Sequence, residues 1–158
     1  MPPARRDTAY EEARKRIRAA ARQKVLKQLD LSHLDLTVLP VEIGRLRILE
    51  ELDLSNNQLT ALPVEIGQLS ALRSLDLSNN QLTELPSELG TLSNLRFLRI
   101  NHNKLMKLPD KLGNLINLLS LEASYNSIDM LPEAVMTLPK LLELSLEHNA
   151  IAMVLRAI

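Results

Sequence analysis

Leucine returns every 23 residues along this chain, at Leu29, Leu52, Leu75, Leu98, Leu121 and Leu144. The neighbours of each leucine repeat with it. The segment from Leu52, LDLSNNQLTALPVEIGQLSALRS, is nearly copied from Leu75 as LDLSNNQLTELPSELGTLSNLRF. A fixed period in the twenties constrains the fold more than any local propensity. Each copy is one small unit that cannot hide its own apolar edge, so the copies must stack into a solenoid with a continuous core.

Counted from the first leucine of each copy, positions one, three, eight, eleven, eighteen and twenty-one are almost always aliphatic. The L-x-L alternation has the period of a strand, with both leucines on one face. Position six is Asn57, Asn80, Asn103, Asn126 and Asn149, placed where the chain leaves the strand. There an amide side chain can bond to turn backbone and to the neighbouring copy. Position twelve is Pro40, Pro63, Pro86, Pro109 and Pro132, which fixes its own φ and extends the preceding leucine. The stretch P-x-E-I-G-x-L-x-x-L then predicts one short helix or 3₁₀ turn, ended by Gly44, Gly67, Gly90 or Gly113. Departures are few: Leu34 for the first Asn, Ala123 in a leucine column, Met136 for the fifth Gly and Leu155 for the sixth Pro.

The pattern L-x-x-L-x-L-x-x-N-x-L from Leu49 to Leu59, with L-P-x-x-I-G-x-L-x-x-L after it, resembles the leucine-rich repeat family. The 23-residue form is similar to the class found in Ras-associated scaffold proteins, plant intracellular Ras-group repeat proteins and the front ends of bacterial Roco GTPases. The opening EEARKRIRAA followed by LDLSHLDLTVLP also resembles bacterial repeat proteins of the Roco type, although the chain has no G-x-x-x-x-G-K-[ST] segment. The resemblance implies an α/β fold: a right-handed, curved leucine-rich repeat solenoid with an inner parallel sheet and an N-terminal capping helix. It further implies a non-catalytic module that binds protein through its concave strand face. The alternative is the recognition region of a Roco-type GTPase or signalling scaffold.

A solenoid must seal its ends. Residues 1–7 read as a disordered basic tail, residues 8–28 as a capping segment and residues 29–158 as about six repeats, the last incomplete. Tyr10, Ala13, Ile17, Ala20 and Lys24 or Val25 fall at helical spacing, which predicts a helix over about residues 8–26, capped by Asp7 or Thr8. Residues 1–28 carry nine Arg or Lys against three acids, an excess that the rest of this formally neutral chain balances. That charge reads as a solvated outer face, as a contact for nucleic acid, anionic lipid or an acidic protein, or as a partner for the acidic repeats of the same chain. With only Tyr10 nearby, nucleic acid is disfavoured. For the other end, AMVLRAI, three explanations compete: a fragment of a longer protein, a small apolar lid, or self-association through the C-terminal end. The chain has no cysteine, no Asn-X-Ser/Thr and no apolar stretch long enough for a membrane span, which together favour a cytoplasmic protein.

The candidate contact residues lie between the leucines, at positions two, four and five and just before position one. Repeats two and three are bland there and repeats four to six are not. Phe97, Arg99, His102, Glu122, Tyr125 and His148 form the predicted partner-binding patch, because aromatic and Arg anchors dominate interface energies. The ladder Asp30, Asp53 and Asp76 is a lesser candidate for orienting a basic partner. No catalytic residue, metal or cofactor is expected. His102 and His148 stand two repeats apart, about 10 Å at the strand spacing, with Tyr125 between them. The recurring Ser of LDLS has no His and Asp partners at triad geometry.

Overall fold

The computed structural model describes residues 5–151. A helix, α1 (Arg5–Arg22), precedes six three-residue strands: β1 (Gln28–Asp30), β2 (Glu51–Asp53), β3 (Ser74–Asp76), β4 (Phe97–Arg99), β5 (Ser120–Glu122) and β6 (Glu143–Ser145). All neighbours pair in parallel, in the order β1-β2-β3-β4-β5-β6. The 23-residue period becomes strand register directly, since Leu29 pairs with Leu52, Leu52 with Leu75, Leu75 with Leu98 and so on to Leu144.

Opposite the sheet run four 3₁₀ turns, Val41–Arg45, Val64–Gln68, Ser87–Thr91 and Asp110–Asn114, and a short helix, α2 (Glu133–Met136). Each starts after the predicted proline; Pro63, for example, is extended at φ −68° and ψ 148°. Between the layers lies one leucine core, with Leu54, Leu75, Leu77, Leu98 and Leu121 fully buried. Burying each such side chain stabilises by about 1.5–3 kcal/mol.

The glycines do something other than end these turns. Gly67 is the fourth of five residues in its turn, which closes at Leu69, and no glycine has positive φ. The reason for glycine is the next repeat. A Cβ on Gly67 would stand 2.7 Å from the Glu88 carbonyl oxygen, and one on Gly44 2.9 Å from that of Glu65. Glycine therefore sets how closely consecutive turns approach. Met136, which takes this place in the fifth copy, is half-exposed.

The position-six asparagines reach back one repeat. Asn57 Nδ2 donates to Leu31 O at 2.9 Å and to Leu54 O at 3.0 Å, while its Oδ1 accepts from the N–H groups of Leu34 and Leu36. Asn80 repeats this with Leu54 O and the Leu59 N–H. In the first repeat no earlier repeat offers a strand-end carbonyl to such an amide, and Leu34, packed against the core, occupies the position.

α1 covers the open N-terminal end as expected, with shifted bounds. It begins at Arg5, within the stretch read as a tail, so Asp7 and Thr8 lie inside the helix and not at its start. It stops at Arg22, and Val25, expected on the buried stripe, is 82% exposed. The buried stripe is Ala9, Ala13, Ile17 and Ala20, with Tyr10 only partly covered. Part of the helix charge meets the first repeat: Arg14 Nε donates to Glu42 Oε1 at 2.8 Å and Arg18 lies 4.0 Å from the same carboxylate. At the other end Leu144 is 37% exposed and Leu142 85%. The three explanations offered for AMVLRAI fall on residues 152–158 and lie outside the described residues.

Candidate functional site

The inward columns are shorter strands than the alternation suggests. Regular strand ends at position two and the chain then turns, although the N–H groups of positions three and five still donate to the next repeat, as Leu54 does to Asp76 O at 2.8 Å and Asn56 to Ser78 O at 3.0 Å. The aspartates at position two build that turn. Asp30, Asp53 and Asp76 accept the N–H of Ser32, Ser55 and Ser78 at 2.8, 2.8 and 2.9 Å, an Asx-type closure. The Ser32 hydroxyl bond, then the Ser32 N–H, hold the Asp30 carboxyl below its ordinary range, with Arg16 and His33 adding to the effect. The ladder thus has a structural task at Oδ1 in each of the first three repeats.

Repeat four changes this plan. Arg99 stands where the aspartate would be, and its Nε donates to Glu122 Oε1 of repeat five at 3.0 Å. Asn101 Nδ2 donates to the other oxygen of Glu122, and Asn101 Oδ1 accepts the Ser124 N–H at 2.8 Å. The Ser124 hydroxyl donates to Glu147 Oε2 of repeat six. That hydroxyl, followed by the Glu147 backbone N–H and the nearby His148, holds the Glu147 carboxyl below its usual value. Charge and amide groups of three repeats are thereby linked. Asn101 was not among the predicted residues; the signal for it was an Asn in a column of serines.

Position five is left-handed throughout. His33, Asn56, Asn79, His102, Tyr125 and His148 have φ between 54° and 57°. Asn adopts this region readily, whereas bulky side chains rarely do. The three rings of repeats four to six form one stack: His102 on Tyr125 at 4.3 Å between centroids and 10° between planes, and Tyr125 on His148 at 4.2 Å and 18°. The rings are exposed, so they add nothing to the core. Phe97 begins β4, in register between Ser74 and Ser120 and 39% exposed. Two residues along the same strand, Arg99 shares its face. The predicted patch therefore resolves into a stack, an ion pair and a separate ring along one side of the sheet.

A shallow depression of about 230 Å³ lies beside the patch over repeats one to three, lined by Asp30, Glu51, Asp53, Ser74, Asp76 and Arg99. The column before the strands carries opposite charge, where Glu50 pairs with Lys27 at 2.6 Å and lies 3.6 Å from Arg73. Among the described residues no group of three or more His, Cys, Asp or Glu converges as a metal site, and no helix is long and apolar enough to cross a membrane.

Residues 24–82 and 49–105 match the leucine rich repeat family. The chain is a leucine-rich repeat protein. It is 41% identical to a leucine-rich repeat protein of Leptospira interrogans, with a TM-score of 0.77 over 86% of this chain and 34% of that one. Similar too are an internalin from Listeria monocytogenes (26% identity, TM-score 0.65, 75% of this chain and 34% of that one) and the plant peptide hormone receptor RGFR1 in complex with RGF2 (31%, 0.65, 72% and 19%). This leucine-rich repeat protein spans about a third of the length of the Leptospira structure. No curated protein sequence matches it. The family fold commonly serves protein–protein interaction.

Proposed function

We propose that this chain is a non-catalytic recognition module that binds a protein partner through its concave strand face, centred on Phe97, Arg99, His102, Glu122, Tyr125 and His148. The observation carrying the reading is the exposed stack of His102, Tyr125 and His148, set on a left-handed backbone position that asparagine fills in repeats two and three. Strain held at a surface position without any gain in core packing points to a surface role. The receptor RGFR1, solved in complex with RGF2, has the same fold and supports the reading by analogy. The test is capture of partners from native lysate by the chain and by Phe97→Ala/Tyr125→Ala, with circular dichroism to show that both are folded. Specific partners retained equally by the double variant overturn the patch.

The second reading, a recognition region of a Roco-type GTPase or signalling scaffold, rests on EEARKRIRAA and LDLSHLDLTVLP at the start of the array. Sequencing the gene beyond Ile158 decides it: a Ras-like domain there supports this reading and its absence counts against it. Cytoplasmic residence is proposed from the cysteine-free composition, and fractionation with an antibody against the chain tests it. The reading calls for no cofactor.

A further inference from the structure

The charges on the concave face say what chemistry a partner must bring. Asp30, Glu51, Asp53, Asp76, Glu143 and Glu147 all lie on the inward columns, and none has an ion-pair partner among the described residues. The one guanidinium on these columns, Arg99, is already engaged by Glu122. Each ladder aspartate closes its own turn through Oδ1, which leaves Oδ2 for an outside donor. The depression over repeats one to three is lined by four of these six carboxylates. A neutral or acidic segment laid here would desolvate negative charge without return.

The rings refine the partner's chemistry. Phe97 has no ring neighbour among the described residues, so its exposed face is open, and the Tyr125 stack stands along the same side of the sheet. A planar guanidinium can both stack on such rings and bind a carboxylate in bidentate fashion; a lysine ammonium does neither as well. Length follows from spacing: six strands span about 24 Å, which an extended chain crosses in about seven or eight residues.

We infer that the concave face holds an extended, arginine-bearing segment of a partner protein, its guanidinium groups set on the ladder carboxylates and against the open ring of Phe97. This rests on the recognition-module reading and specifies the partner's chemistry.

The probes are fluorescein-labelled (Arg-Ala)4, (Lys-Ala)4 and (Glu-Ala)4, titrated with the full chain and read by fluorescence anisotropy. The expected order is Arg first, Lys weaker by about five-fold, and Glu without binding. The pair Asp53→Asn/Asp76→Asn keeps both Oδ1 acceptors and hence the turns; it should weaken the Arg and Lys peptides alike by about ten-fold. Phe97→Ala should erase the preference for Arg over Lys. The inference is overturned if (Arg-Ala)4 does not bind, if (Glu-Ala)4 binds as well, if Arg and Lys are equal on the unaltered chain, or if the folded Asp53→Asn/Asp76→Asn and Phe97→Ala variants bind unchanged. Failure here is separable from failure of the module reading. A native partner that needs Phe97 and Tyr125 yet presents an acidic or neutral segment keeps the module and removes the arginine.

Discussion

Adjacent asparagines with opposite roles offer the sharpest test of how the repeats hold together. Asn80 is 7% exposed. Its Oδ1 accepts the buried Leu59 N–H at 3.0 Å, and its Nδ2 donates to Leu54 O at 2.9 Å and Leu77 O at 3.1 Å. Asn80→Ala leaves a buried N–H without an acceptor and removes every bond that Nδ2 donates, so the loss should be about 2–4 kcal/mol. Asn79, one residue earlier, is exposed and sits at φ 55°. Asn79→Gly keeps that conformation available and should cost no more than about 1 kcal/mol. Urea unfolding followed by circular dichroism measures both, with the slope checked for constancy so that the midpoint reports stability alone. A loss under about 1 kcal/mol for Asn80→Ala, or equal losses for the two variants, would refute the assignment of the inter-repeat bonds to position six.

Gly67→Ala drives a methyl group against the Glu88 carbonyl and should destabilise by about 1–3 kcal/mol in the same assay, whereas Met136→Ala at the half-exposed equivalent should change little. Leu77→Ala in the fully buried core should cost about 2–5 kcal/mol. Tyr125→Asn relieves left-handed strain of up to about 1–2 kcal/mol while losing two stacking contacts of similar total size, so thermal stability should change little even as partner binding falls. The Arg14 hydrogen bond holds the Glu42 carboxyl below its ordinary value, with the backbone N–H of Glu42 and Arg18 contributing. A lowered folded value stabilises above the unfolded one and is lost as pH falls through the folded one. Attachment of α1, followed by amide hydrogen exchange at Ala13 and Ile17, should therefore weaken on acidification into the carboxylate range, and Glu42→Gln should flatten that dependence.

The 23-residue leucine period carried the array, its register and its two layers, because a period is a property of the whole chain and needs no knowledge of local geometry. The Asn and Pro columns were equally readable, since each has one physical use at its place. Glycine was misread as a helix end because sequence shows the turn that glycine sits in, and not the next turn pressing against it. The bounds of α1 slipped for a similar reason: Ala9 and Tyr10 both suit a helical stripe, and only the shape of the first repeat chooses Ala9. At the site, the columns placed Arg99 beside Glu122 and Tyr125 between two histidines. That the rings lie flat on one another depends on the left-handed turn, which alternation treats as strand. Asn101 escaped notice because its importance lies in what Arg99 and Glu122 need around them.

In-register stacking, which alone lines the inward columns into one surface, is tested most directly by disulfide trapping in this cysteine-free chain. Asp53 and Asp76 are register partners on neighbouring strands, about 4.8 Å apart at Cα, inside the range a disulfide spans. Asp53→Cys/Asp76→Cys should close completely under mild oxidation, while Asp53→Cys/Arg99→Cys, two strands apart at about 10 Å, should stay reduced. Closure of the second pair, or failure of the first in a folded chain, would contradict the stack.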